Sequence, residues 1–331
     1  MFLQQTLIAL ARALPAVIAP SIIADLQLDP FWIGIYFGVM AVAALIVQLG
    51  CGSFIVRYGA LRMSQIALYL SAIGIALADV GTPLALCVSA AIVGGGSAVS
   101  TPASSHLLAR CSPPRYLPLV FSLKQTAVPM GLLLAGLLGP PITEWHGWRE
   151  TMLLCAASSV FLGLLLQPLR KPFDDDRVPS RSFQLSDFKT TLTSVIGGTK
   201  LRTLSFACLS FNGLQSVLTA YYVLYLTTLG YSPIAAGVAF SVATAVAVPG
   251  RIVWGWVGST LVSPRMMMAT LGLSMSLSAF VFSLCNESWA PIAIGAVGCL
   301  LSATALSWHG IVLAEIANAA PDGMRGGVTG G

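Results

Sequence analysis

The sequence predicts an all-α membrane protein built as a polytopic helical bundle. Two observations predict it at once: 56% of the 331 residues are hydrophobic and only 9% are charged. A soluble domain needs about 25% charged residues to cover its surface. The third observation is distribution, because the apolar residues fall into about ten stretches of the length a bilayer crossing requires, about 20 residues each.

The ten expected spans are 2–23, 31–55, 63–80, 83–108, 117–141, 149–168, 203–228, 233–257, 266–285 and 289–313. Most connections between them are short, so consecutive helices are antiparallel neighbours. The long connection, 169–202, holds Asp174, Asp175 and Asp176 beside Arg170, Lys171, Arg177 and Arg181. It divides the chain into 1–168, a six-helix half; 169–202, a linker loop; and 203–331, four helices and the start of a fifth. The N-terminus does not read as a cleavable signal, because Arg12 interrupts the apolar stretch.

Orientation follows from the lysines and arginines. With the N-terminus in the cytoplasm, thirteen of the seventeen lie in inner loops or at inner helix ends and only Arg149 lies outside. A plasma-membrane location with a cytoplasmic N-terminus is expected. The seven cysteines are scattered singly, so no disulfide framework or zinc site is indicated, and no cofactor is expected. No basic run is interleaved with aromatics, which argues against a nucleic-acid partner. The expected partners are the lipid bilayer and a small-molecule solute.

The two halves repeat. A shift of 203 residues places Gly34 on Gly237, Gly52 on Gly255, Arg62 on Arg265, Gly95 on Gly298 and His106 on His309. Parallel repeats of this kind build one large class of secondary transporters.

Gly52-Ser-Phe-Ile-Val-Arg57-Tyr-Gly59-Ala-Leu-Arg62 resembles the loop signature of the major facilitator superfamily, keeping Gly52, Arg57, Gly59 and Arg62 but with Val56 where the family has aspartate. His146-Gly147-Trp148-Arg149 resembles the family's outer-loop Gly-Trp-Arg. The string around Lys124, Gln125, Thr126, Pro129 and Gly131 resembles a bacterial branch that includes cyanate- and nitroimidazole-type permeases. The resemblance implies two pseudo-symmetric halves of six helices, transport by alternating access, a monomer, and no enzymatic activity. Twelve spans are implied and ten are present. The end, Arg325 to Gly331, reads as the start of an eleventh helix, so a truncated product is expected.

Candidate solute-binding residues are the polar groups at membrane depth. A cation there is expensive, roughly 2.5–3.5 kcal/mol on insertion scales, and usually faces a cavity or partner. Lys124 in the fifth span and Arg12 in the first are such cations, with no Asp or Glu at comparable depth. Gln125 lies beside Lys124. In the seventh span Asn212, Gln215, Thr219 and Tyr222 share one helical face. Two cations without a carboxylate predict uptake of a small organic anion. Gating roles are expected for Gly52, Arg57, Gly59, Arg62, His106, Arg251 and His309. The rival readings are a drug or metabolite exporter, whose usual membrane carboxylate is missing, and a solute sensor on the same fold.

Overall fold

The computed structural model describes residues 1–181, 193, 198–309, 311–312 and 315. The remainder of the linker and the expected eleventh helix lie outside the described residues. Every element is helical: α1 Phe2–Val17, α2 Ala19–Leu26, α3 Phe31–Tyr58, α4 Ala60–Ala78, α5 Pro83–Ala98, α6 Ser100–Cys111, α7 Leu117–Gln125, α8 Ala127–His146, α9 Trp148–Leu165, α10 Arg170–Phe173, α11 Thr199–Thr228, α12 Pro233–Thr260, α13 Pro264–Ser283 and α14 Pro291–Ala305. Among the described residues seven helical runs are long and apolar enough to cross a membrane, with Pro83–Cys111 and Leu123–His146 each taken as one, or eight if the bent pair α1–α2 is one span. The thirty-residue α11 is long enough but carries Arg202, Asn212 and Gln215, and α14 is 15 residues long.

Helix starts follow local chemistry. Thr82, Ser232 and Ser263 each stand before a proline and accept a hydrogen bond from the amide three residues on, at 3.2, 3.2 and 3.4 Å. A hydroxyl there satisfies one orphan amide, and a proline in the first turn sacrifices none. Gly59 and Gly147 separate α3 from α4 and α8 from α9 with φ of +95° and +98°, which a side chain rarely tolerates.

Three expected spans have an irregular turn, and one of them is sharply bent. The first bends by 47° between α1 and α2. The fourth breaks at Val99 and the fifth at Thr126. Each break lies a few residues before a proline: Pro20, Pro102 and Pro129. Proline has no N–H for the carbonyl four residues back, and its ring crowds that carbonyl.

The cores are unequal. Around α1, α3, α4, α5 and α9 one cluster buries Ala11, Leu14, Ile75, Val93 and Met152 together with Tyr36 and Trp148. Around α11 to α14 lies a larger cluster, with Tyr222, Phe240, Leu271, Met275 and Phe282 buried. The two meet along α8 and α12, which run antiparallel: Gly237 and Gly136 face one another so closely that a Cβ on Gly237 would lie 2.5 Å from the Gly136 carbonyl. Ser241 Oγ donates to the Leu133 carbonyl at 2.8 Å across the same seam. A second contact places the Tyr221 hydroxyl against Gly34.

Candidate functional site

The two ends of the bundle carry different charge networks. At the α8–α9 end, Arg149 Nη1 meets Asp25 at 2.8 Å and Nε lies 3.6 Å from Asp79. Trp148 Nε1 donates to the same Asp25 at 2.9 Å, and the guanidinium lies 4.4 Å from the Trp148 ring centroid. The Gly-Trp-Arg string thus ties the ends of α2, α4 and α9 together.

At the opposite end, the acidic run after α9 is folded against the N-terminal half. Asp174 is buried and accepts from the Leu61 and Arg62 amides at 2.7 and 2.9 Å, capping α4. A Cβ on Gly59 would lie 2.2 Å from the Asp174 carboxyl carbon. Val178 N–H donates to the Val56 carbonyl at 2.8 Å. Arg110 reaches Asp175 at 2.8 Å and Asp176 at 2.5 Å, and His106 Nε2 lies 2.8 Å from Asp176. Burial alone would raise the Asp176 carboxyl; the His106 hydrogen bond and the Arg110 charge outweigh it and hold the group below its usual range. Of the loop signature, Gly52 has open space around it, Arg57 lies over the Tyr58 ring at 5.4 Å, and Arg62 reaches Gln65 at 3.5 Å.

Between these ends lie Arg12 and Lys124, two of the three cations within the expected spans. From Gln4 to Val17 every residue of α1 is buried or half-buried except Arg12, which is exposed. Helix α1 packs against α4, α8, α9 and α11, so this exposure opens on a space within the bundle. Arg12 has no hydrogen-bond or ion-pair partner among the described residues. Lys124 is only 3% exposed. Its Nζ donates to the Thr101 carbonyl at 3.0 Å and to Ser105 Oγ at 2.6 Å, with the Phe121 ring 5.9 Å away. These are neutral acceptors just beyond the break in the fourth span.

The Lys124 position joins a polar network. Gln5 Nε2 donates to Thr101 Oγ1 at 3.0 Å and its Oε1 accepts from Ser100 at 2.9 Å, while Gln4 Nε2 donates to Ser100 at 2.9 Å. Gln5 and Arg12 are seven residues apart on α1, on one face and about 10 Å apart along the axis. Sequence reasoning missed Gln4, Gln5, Ser100, Thr101 and Ser105; the seven-residue spacing from Gln5 to Arg12 was the available signal.

The polar face of α11 divides. Asn212 is exposed. Gln215 Oε1 accepts from Trp308 Nε1 at 3.1 Å, and Thr219 donates back to the Gln215 carbonyl at 2.9 Å. Tyr222 is 2% exposed and packed between Phe240 and Phe282, with ring centroids 5.5 and 5.2 Å away. Its hydroxyl has no hydrogen-bond partner among the described residues. Beyond the exposed Asn212, this face therefore packs against Trp308 and the aromatic core.

The repeat-related histidines also differ. His106 is at the exposed charge cluster, whereas His309 is stacked on Trp308 at 4.0 Å and its Nδ1 is buried without a hydrogen-bond partner among the described residues. Arg251, on α12, donates from Nε to the Leu306 carbonyl at 2.9 Å and from Nη1 to the Gln125 carbonyl in the other half.

A bundle of membrane-length helices in two packed halves, with cations within its spans that meet no carboxylate among the described residues, defines a polytopic transporter. The chain belongs to the Major Facilitator Superfamily, whose family model matches residues 1–330. Comparison with curated proteins returns no match. Among solved structures it is similar to a bacterial homolog of the human lysosomal transporter Spinster in an inward-facing, occupied conformation, at 16% identity and TM-score 0.69, covering 99% of this chain and 75% of that one. It is similar to a D-xylose–proton symporter at 18% identity and TM-score 0.67, covering 99% and 84%. A peptide transporter in complex with sulfate matches at 16% identity and TM-score 0.70, covering 99% and 85%. These likenesses establish the fold.

Proposed function

We propose that the chain is a secondary transporter that takes up a small organic anion by alternating access, as a monomer in a bacterial plasma membrane with its N-terminus in the cytoplasm. The observation that carries the proposal is the pair of cations without a carboxylate. Arg12 is exposed inside the bundle without a partner among the described residues, and Lys124 is buried on two neutral oxygens. A buried cation on neutral acceptors gains most from an anion, because an ionised acceptor makes roughly twice as strong a hydrogen bond. Arg12 is the accessible group that would first meet the solute, and Lys124 would exchange Ser105 and Thr101 for a carboxylate. Gln125, Asn212 and Gln215 offer the polar contacts that would orient it. Gating would fall to Gly52, Arg57, Gly59, Arg62, His106, Arg251 and His309, a reading supported by the contacts of Gly59 and Arg62 with Asp174 and of His106 with Asp176.

Thermal stability of the purified protein tests this reading against acetate, malonate, benzoate, phosphate and a lipophilic cation. A ligand at about 100 times its dissociation constant adds about 2.7 kcal/mol. Stabilisation by an anion, lost in both Arg12→Gln and Lys124→Gln, is the expected result. Stabilisation by the cation alone would overturn it in favour of efflux. Flux of the stabilising anion into proteoliposomes separates a transporter from a sensor, which would bind without moving it.

A further inference from the structure

The carbonyl of Gln125 is an orphan by sequence. Its helical donor would be the amide of residue 129, and residue 129 is a proline. The orphan is taken by Arg251 Nη1, from the other half of the molecule. The base of Arg251 is fixed within its own half: Nε holds the Leu306 carbonyl at 2.9 Å, Trp254 Nε1 holds the Ala303 carbonyl at 2.9 Å, and Ser307 Oγ holds the Ala247 carbonyl at 3.2 Å. The guanidinium therefore reaches across from a rigid platform.

The fifth span and α12 run antiparallel and pack along a seam that includes Gly136–Gly237 and Ser241–Leu133, with two levels of different character. One is the close backbone contact of Gly136 with Gly237; the other is Arg251 on Gln125. Along α12 these levels are fourteen residues apart, about 21 Å. The first is shape-matched backbone packing, suited to a pivot. The second is a single charge-assisted hydrogen bond, suited to making and breaking.

The nine-residue α7 carries both Lys124 and Gln125, and it is set off from α8 by the break at Thr126. Lys124 ties α7 to α6, and Gln125 ties it to α12. A movement of α7 at one residue is transmitted to the other. We propose that Arg251 is a latch between the two halves, closed on the carbonyl that Pro129 leaves without a helical donor, and that anion capture by Lys124 releases it. The release step rests on the anion reading above; the latch itself does not.

The test measures the distance between spin labels on Cys111 and on a cysteine replacing Arg265, both exposed at the same end of the bundle in opposite halves, with the other cysteines replaced. Arg251→Gln is expected to enrich the longer distance about tenfold. Pro129→Ala restores the amide donor to Gln125, so it is expected to enrich the longer distance several-fold while leaving thermal stability unchanged or higher. A merely structural role for Pro129 would not couple those two readouts. Arg251→Lys, which keeps the charge but not the two-armed reach, should fall between wild type and Arg251→Gln, and it serves with Pro129→Ala if Arg251→Gln fails to fold. Wild-type distances in Pro129→Ala and in the Arg251 variants would overturn the latch. With acetate, malonate, benzoate or phosphate, wild-type protein should shift to the longer distance and Lys124→Gln should not. If the variants widen the distance but no anion does so in wild type, the latch stands and anion-driven release falls with the reading beneath it.

Discussion

Lys124 and Arg251 solve the same local problem in different places. Each sits within an expected span, and each donates to neutral oxygens and to no carboxylate among the described residues. Lys124 keeps both of its bonds inside the N-terminal half, on Thr101 and Ser105. Arg251 divides its bonds, one to Leu306 in its own half and one to Gln125 in the other. The difference teaches that the partner, and not the depth of the charge, sets the role. A cation whose acceptors share its rigid body can be emptied for a solute without moving the halves. A cation whose acceptors lie on two bodies holds those bodies together.

The largest effect that would break the comparison is on Lys124. Lys124→Met fills a similar volume and leaves no orphan behind, because Thr101 already accepts from the Ser104 and Ser105 hydroxyls at 3.0 and 2.8 Å. The expected outcome is equal or higher thermal stability with anion-dependent stabilisation and uptake reduced more than tenfold. A variant that unfolds instead would make Lys124 a structural residue.

A smaller effect is expected one layer away. Gln5→Leu removes the bonds to Ser100 and Thr101 in a buried network, where an unmet polar group costs about 1–3 kcal/mol. Chemical or thermal unfolding should register a loss of that size. Tyr222→Phe in the other half should change stability by less than about 1 kcal/mol, or raise it, because the hydroxyl removed has no hydrogen-bond partner among the described residues. Loss of anion response in Tyr222→Phe would restore the solute role that the sequence suggests for this residue.

The smallest effect is on pH. Asp176 has its carboxyl held below the usual range, so its pairing stabilises the folded state above the unfolded value and is lost as pH falls through the folded one. The contribution should be intact at pH 7 and fade below about pH 4. In Asp176→Asn the acid limb of a stability–pH profile should flatten, with the neutral limb little changed.

Some of this was legible in the chain. The proline and hydroxyl pairs at 82–83, 232–233 and 263–264 announce helix starts, because a cap and a first-turn proline act within four residues. Lys124 and Arg12 stand out because a charge in an apolar run is conspicuous before any fold is known. The acidic run at 174–176 reads as a solvated linker, whereas Asp174 is a buried cap and Asp176 meets Arg110 and His106. Those partners are more than sixty residues away, and no local pattern encodes them. The even spacing of Asn212, Gln215, Thr219 and Tyr222 gives a face without saying what covers it; the answer is Trp308 and an aromatic core.

By itself, the sequence determined that this protein is a helical membrane transporter in two related halves, because bilayer length, charge scarcity and repeat offset are properties of the chain. It also determined which carbonyls would be orphaned, since a proline strips the residue four places before it wherever it stands. Only the tertiary structure decided who takes those carbonyls. Arg251 and Gln125 are 126 positions apart, and a hydrogen bond a few ångströms long is made or missed by how two whole helices cross.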